Sequence, residues 1–168
     1  MKNTYQKILA IILLLSVLLG AFSTASFASE KDSLKKEGNT WYYMQDGEKD
    51  SSYTGLVKYY YTWYYVKDGV LDWSYTGLTK YYGTWYYVYG GILRWDTNTL
   101  VKYGDDWYVV SGGVVDFGYN GAYVYGDTLN AIDGGVWNKN YNGPIYYDGN
   151  AYTLTNGTLY SYYLHPQA

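Results

Sequence analysis

The sequence predicts an all-β fold, a solenoid of stacked β-hairpins built from six 22-residue repeats, and three observations carry that reading. Trp41, Trp63, Trp85 and Trp107 recur at intervals of 22 residues without an insertion. Gly47, Gly69, Gly91, Gly113, Gly135 and Gly157 stand six places after each repeat start, so the frame runs on through Leu129 and Ala151, where the Trp has gone. Gly and β-forming residues also break every window of the later chain before a helical 3.6-residue period can establish itself. A fixed period of this length marks an array whose units must stack to bury their apolar faces. An isolated hairpin of this kind leaves much of its ring surface wet.

The chain begins with a segment of another character. Lys2 and Lys7 precede an uncharged apolar run, Ile8 to Phe22, and small residues follow, so residues 1–28 read as a secretory signal cleaved after Ala28 or after Ala25. The 15-residue run falls short of the roughly 20 residues that span a bilayer, so no stable membrane insertion is expected once it is removed. Residues 29–39 (SEKDSLKKEGN) are charged and poor in large apolar groups, and read as a flexible lead-in. One repeat domain, residues 40–168, is expected to fill the remainder.

Removal of residues 1–28 takes Lys2 and Lys7 with it and leaves ten basic against fifteen acidic side chains, a net charge of −5. That balance disfavours nucleic acid and anionic lipid and suits a cationic or neutral partner. There is no cysteine, hence neither a disulfide framework nor a thiol nucleophile. An exported chain without disulfides fits a Gram-positive surface.

Within the second copy, Trp63-Tyr64-Tyr65-Val66 runs into Lys67-Asp68-Gly69 and then into Val70-Leu71-Asp72-Trp73. Asp-Gly between two such runs is a strong hairpin signal, because a primed turn needs positive φ. Thr-Gly at 54–55 and 76–77, and Asn-Gly at 120–121 and 142–143, make a second punctuation point, after which a short run such as Leu56 to Tyr61 leads to the next Trp. The end copies differ as caps do. Glu48-Lys49-Asp50-Ser51-Ser52 replaces an apolar strand in the first, and Leu129 and Ala151 replace Trp in the last two.

The pattern Thr76-Gly77-Leu78, Lys80-Tyr81, Thr84-Trp85-Tyr86-Tyr87 and its copies resembles the cell-wall-binding repeats of Gram-positive bacteria, the group that includes choline-binding and glucan-binding repeats. The resemblance covers about 130 residues from Thr40 onward. It implies stacked hairpins with ligands in aromatic clefts between them, a cell-wall polymer or other polysaccharide as partner, and non-covalent retention at the wall. Trp63, Trp85 and Trp107 match the family's leading Trp, and Tyr65 and Tyr87 its second Tyr. The choline-binding type carries Trp directly after Thr-Gly, where this chain has Leu56, Leu78 and Leu100. Trp73, Trp95 and Phe117, with Tyr75 and Tyr119 two places on, either rebuild a cleft or pack.

Rings of this kind hold a quaternary ammonium by cation–π attraction, about 0.5–2 kcal/mol per ring, or support the apolar face of a sugar. The expected ligand-binding set is therefore Trp63, Tyr65, Trp73, Tyr75, Trp85, Tyr87, Trp95, Trp107, Phe117 and Tyr119, with Asp72 and Asp116 as acidic neighbours. The alternative is a structural or adhesive protein whose rings serve only to stack repeats. No cofactor and no metal are expected. Nor is catalysis, since the single histidine, His165, is the fourth residue from the end and Asp105-Asp106 reads as a solvated turn.

Overall fold

The structure is a computed structural model describing residues 32–160; the expected signal segment and His165 lie outside the described residues. Each 22-residue unit supplies three strands. The first gives β1 (Asp32–Glu37), β2 (Thr40–Gln45) and β3 (Glu48–Lys49), and the second β4 (Gly55–Tyr59), β5 (Thr62–Lys67) and β6 (Val70–Leu71). Then come β7 (Gly77–Tyr81), β8 (Thr84–Tyr89) and β9 (Ile92–Leu93), followed by β10 (Thr99–Tyr103), β11 (Asp106–Ser111) and β12 (Val114–Val115). The last two units give β13 (Gly121–Tyr125), β14 (Thr128–Asp133) and β15 (Val136–Trp137), then β16 (Gly143–Tyr147), β17 (Asn150–Leu154) and β18 (Thr158–Tyr160). The described chain is thus all-β, a solenoid of antiparallel hairpins.

The longest ladder in a unit is not at the Asp-Gly turn. β4 pairs with β5 over five residue pairs, from Gly55 opposite Val66 to Tyr59 opposite Thr62, whereas β5 and β6 share only two pairs across Asp68-Gly69. The run expected merely to lead into each Trp is therefore one arm of the main hairpin. Its turn is masked in sequence because Tyr60 occupies a position with φ 51° where a glycine would announce it.

The start of the domain is also corrected. β1 lies inside the expected lead-in of residues 29–39 and pairs with β2 from Asp32 opposite Gln45 to Glu37 opposite Thr40. Leu34 is 4% exposed and joins Tyr43, Val57, Val66 and Leu71 in a core cluster. Leu34 stands 22 residues before Leu56, and Lys36 22 before Lys58, so this segment is the first strand of a unit and the first strand among the described residues. Glu37 there bridges Lys35 at 3.2 Å and Lys49 at 2.6 Å.

Strand alternation makes each hairpin a two-sided plate. On β5, Tyr64 and Val66 pack with Trp41 and Tyr43 of the preceding unit, while Trp63 and Tyr65 pack with Tyr81, Tyr86 and Val88 of the following one. The same division repeats along the stack, with Trp85 and Tyr87 meeting Tyr108 and Val110. This is why Trp-Tyr-Tyr-Val shows no polar alternation: neither of its faces is given to water.

Backbone bonds latch one unit to the next. Val70, Ile92, Val114 and Val136 stand opposite Tyr42, Tyr64, Tyr86 and Tyr108 of the preceding hairpin. The Tyr65 N–H donates to the Gly91 carbonyl at 2.9 Å, and the Gly91 N–H donates to the Tyr75 carbonyl at 2.9 Å. Thr76 Oγ1 accepts from the Gly90 N–H at 3.1 Å, and Asn98 Oδ1 from the Gly112 N–H at 2.8 Å. Asn120 Oδ1 likewise accepts from the Gly134 N–H at 2.8 Å, so the Thr-Gly and Asn-Gly punctuation holds the turn fourteen residues later. Gly91 itself has φ 74°, and a Cβ there would lie 2.6 Å from the Asp72 carbonyl oxygen and 3.0 Å from Trp73 Cα. The turn glycine is required both by its dihedral and by the backbone pressed against it.

Candidate ligand clefts

Three corresponding sets of aromatic rings recur along the stack, each drawn from two successive units, and the first and third enclose a hollow. In the first, Trp41 meets Tyr59 edge-on at 5.2 Å, and opposite them Tyr64 meets Trp73 at 5.8 Å and 82°. Leu34 and Leu71 line it as well, and the space between measures about 250 Å³. Twenty-two residues on, Trp63 meets Tyr81 at 4.9 Å and Tyr86 meets Trp95 at 5.6 Å, beside Leu56 and Leu93. In the third, Trp85 meets Tyr103 at 4.8 Å and Tyr108 meets Phe117 at 6.3 Å, with Leu78 and Val115 beneath a space of about 120 Å³.

The local sequence explains who goes where. The leading Trp and the Tyr of the next hairpin's first arm (Tyr59, Tyr81, Tyr103) share one face of the stack. The first Tyr of the next Trp-Tyr-Tyr comes from the facing plate. The ring after the short third strand projects over the mouth: Trp73 is 51% exposed and Trp95 and Phe117 are each 53% exposed. Such exposure of large rings beside a half-open apolar hollow is unusual for packing and ordinary for a ligand wall.

Leu56, Leu78 and Leu100, the positions that depart from the choline-binding pattern, are buried. Leu78 lies under the third cleft and Leu56 packs with the rings of the second. The rings beside these leucines come from another position: Trp73 and Phe117 border the first and third hollows, and Trp95 meets Tyr86 in the second set.

Of the expected binding residues, Trp63, Trp73, Trp85, Trp95 and Phe117 stand in the clefts. Tyr65 and Tyr75 pack in the same cluster as the second ring set but make no contact with its ring pairs that sets them in a wall: their rings stack on one another, with centroids 3.7 Å apart and planes 16° from parallel. Tyr75 donates its hydroxyl to the Leu78 carbonyl at 2.6 Å, and burial pushes its phenol up to about 12. Tyr119 repeats the arrangement, donating to the Ala122 carbonyl at 2.7 Å. Tyr87 packs with Trp85 and Leu78 and borders an open hollow with Tyr89, Arg94 and Thr99. The two acidic neighbours serve turns. Asp72 Oδ1 accepts from the Ser74 hydroxyl at 2.5 Å and the Ser74 N–H at 2.9 Å, which holds its carboxyl below the usual range, and Asp116 Oδ1 accepts from the Gly118 N–H at 3.0 Å.

Sequence reasoning passed over Trp41, Tyr59, Tyr64, Tyr81, Tyr86, Tyr103 and Tyr108, although their 22-residue recurrence was there to be read. Burial, then the neighbouring Tyr60 phenol, pushes the Tyr59 phenol up, and burial and Tyr82 do the same for Tyr81, so both rings stay neutral.

The ring set changes at both ends of the described residues, although Trp107 and Tyr125 border an open hollow of about 240 Å³ with Tyr87, Leu100 and Lys102. In the fourth unit Trp107 still meets Tyr125, but Trp137 replaces the small apolar residue beneath and packs on Trp107 at 6.3 Å. Asn130, fully buried, stands for the facing Tyr, and Lys139 stands for the mouth ring and donates to the Asp105 carbonyl at 2.5 Å. At the other end Tyr42, the counterpart of Tyr64, has the chain's own Lys49 ammonium 3.8 Å above its ring. A tyrosine face of this series thus already holds a cation.

Comparison with known proteins agrees with this geometry. A family model described as a choline-binding repeat matches residues 33–47, 52–72, 74–93 and 96–116. The repeats between residues 33 and 116 belong to the choline-binding repeat family. The match begins in β1 and its segments carry the leading Trp and the Tyr residues of all three ring sets, while Trp73, Trp95 and Phe117 fall just outside the matched segments. Two solved structures are similar over 75% of this chain: CbpJ from Streptococcus pneumoniae TIGR4, at 24% identity and a TM-score of 0.33, and choline binding protein F from Streptococcus pneumoniae, at 23% and 0.32. The chain spans 41% of the length of each. No curated protein matches it.

Proposed function

We propose that this protein is a non-catalytic binding module that holds a cell-wall polymer through quaternary ammonium groups seated in the three inter-repeat clefts. The observation that carries this reading is the threefold recurrence of one ring set, Trp-Tyr on one side and Tyr-Trp or Tyr-Phe on the other, over an aliphatic floor. Four neutral rings around a hollow with no carboxylate among its lining residues suit a cation that is large, apolar at its surface and unable to donate strong hydrogen bonds. A primary ammonium would lose hydration that nothing in such a cleft replaces. The negative net charge attracts such groups at long range. Three weak sites in a row act by avidity, each bound headgroup raising the effective concentration of the next. The signal-like residues 1–28 support export, and the polymer contacts then retain the protein at the wall without a covalent bond.

A second ligand class, sugar along the polymer backbone, is favoured by one further feature. An open hollow of about 350 Å³ is lined by Tyr87, Tyr89, Arg94, Asp96, Thr97 and Thr99, a mixture of ring face, hydroxyls and charge suited to polyhydroxylated surface.

Pelleting of residues 29–168 with isolated Gram-positive cell walls tests the reading. Co-sedimentation that free choline abolishes and soluble glucan leaves intact is the expected result. Displacement by glucan alone would move the ligand to the sugar class, and absence of pelleting would leave the rings a purely structural role.

A further inference from the structure

The main hairpin turn has the same left-handed position in every unit, and the residue types there differ in a way packing does not explain. Gly38, Tyr60, Tyr82, Gly104, Gly126 and Asp148 are spaced by 22, with φ of 60°, 51°, 44°, 62°, 54° and 47°. Glycine takes this conformation freely and aspartate tolerates it, but a bulky ring there is strained. Tyr60 and Tyr82 are 71% and 92% exposed, so their rings recover little by burial. Strain kept at an exposed position points to a use for the side chain.

Both rings have a defined place. Tyr60 meets Tyr59 edge-on at 4.6 Å and 80°, and Tyr82 meets Tyr81 at 4.5 Å and 78°. Tyr59 and Tyr81 are walls of the first and second clefts, and Tyr60 itself lines the first. The third cleft has Gly104 in the same place, with open space around the missing Cβ. Resting on the cation reading above, we infer that Tyr60 and Tyr82 are specificity residues that extend the walls of the first two clefts, making these the tighter sites and the third the weaker. The ligand they favour is a quaternary ammonium whose substituents project beyond the cleft mouth.

The test is a titration of the protein with choline chloride, followed site by site through indole N–H signals in NMR: Trp41 and Trp73 for the first cleft, Trp63 and Trp95 for the second, Trp85 for the third. Tyr60→Gly is expected to weaken the first cleft by about 2- to 30-fold, the range of one cation–π contact, and to leave the second unchanged, with a melting temperature equal to or above that of the parent. Gly104→Tyr should tighten the third cleft by a similar factor and lower the melting temperature. If the first cleft of Tyr60→Gly binds as the parent does, the inference is overturned, whatever Gly104→Tyr shows. If the indoles of the unaltered protein do not move at all, the cation reading itself falls, and this inference with it.

Discussion

Tyr65 and Tyr75 lie face to face, 3.7 Å between ring centroids, with the Tyr75 hydroxyl bound to the Leu78 carbonyl at 2.6 Å. Two residues ten positions apart in one unit thereby tie the second arm of a hairpin to the loop that follows it and to the first arm of the next hairpin. Tyr75→Phe keeps the stack and removes the bond. It is expected to lower stability by about 0.5–1.5 kcal/mol, and by up to about 3 kcal/mol if the Leu78 carbonyl stays dry, with choline affinity unchanged. Urea unfolding and a choline titration of the same variant check both halves.

Gly91 should be intolerant of even one methyl group. Gly91→Ala sets a Cβ 2.6 Å from the Asp72 carbonyl oxygen and forces alanine into φ 74°. The clash is with backbone of the preceding unit, which cannot swing aside as a side chain does. A loss of more than about 2 kcal/mol is expected, from left-handed strain together with the steric shift. Gly104→Ala is the control. It has the same sign of φ and open space, and is expected to lose only the strain, about 1–2 kcal/mol.

These two glycines show what was legible in the sequence and what was not. The 22-residue register of Trp and Gly gave the solenoid, the unit length and the short hairpin, because turn chemistry is local. Cleft membership depends instead on which face of a strand a ring occupies and which neighbouring plate it meets. In Trp63-Tyr64-Tyr65 the three rings are alike in sequence, yet Tyr64 faces back, Trp63 and Tyr65 face forward, and only Trp63 and Tyr64 belong to the ring pairs of the cleft walls. The family pattern points to Tyr65, which is 8% exposed, and Tyr64 carries no signal in sequence that sets it apart. β1 escaped notice because its outer face is charged, even though Leu34 and Lys36 keep the period.

Alkali should unfold the protein through its tyrosines. Burial raises Tyr75 to about 12 and also raises Tyr65, Tyr87, Tyr119 and Tyr123 above the ordinary phenol value of 10.0. A phenol whose folded-state pKa lies above its unfolded one favours the folded state fully below the unfolded value, and that contribution disappears as pH rises from 10 towards 12. Phenolate absorbance should therefore lag behind a model-peptide titration and then rise together with loss of β-sheet circular dichroism. Titration at the model value with the fold intact would show that these phenols are not buried.

Truncations separate floor from wall. Leu56→Ala removes a fully packed side chain and is expected to cost about 2–5 kcal/mol of stability. Trp95→Ala removes a ring that is 53% exposed, should cost far less, and should weaken choline binding at the second cleft. Thermal melts and titrations of the pair would reverse the assignment if the Leu56 variant melted like the parent while the Trp95 variant unfolded.

On the proposed function, the three ring sets among the described residues each accept a quaternary ammonium. Equilibrium dialysis of residues 29–168 against labelled choline tests it most directly. The account predicts saturation at about three choline per chain, falling by one with each of Trp73→Ala, Trp95→Ala and Phe117→Ala. Saturation unchanged in all three variants, or no saturable binding by the parent, would contradict it.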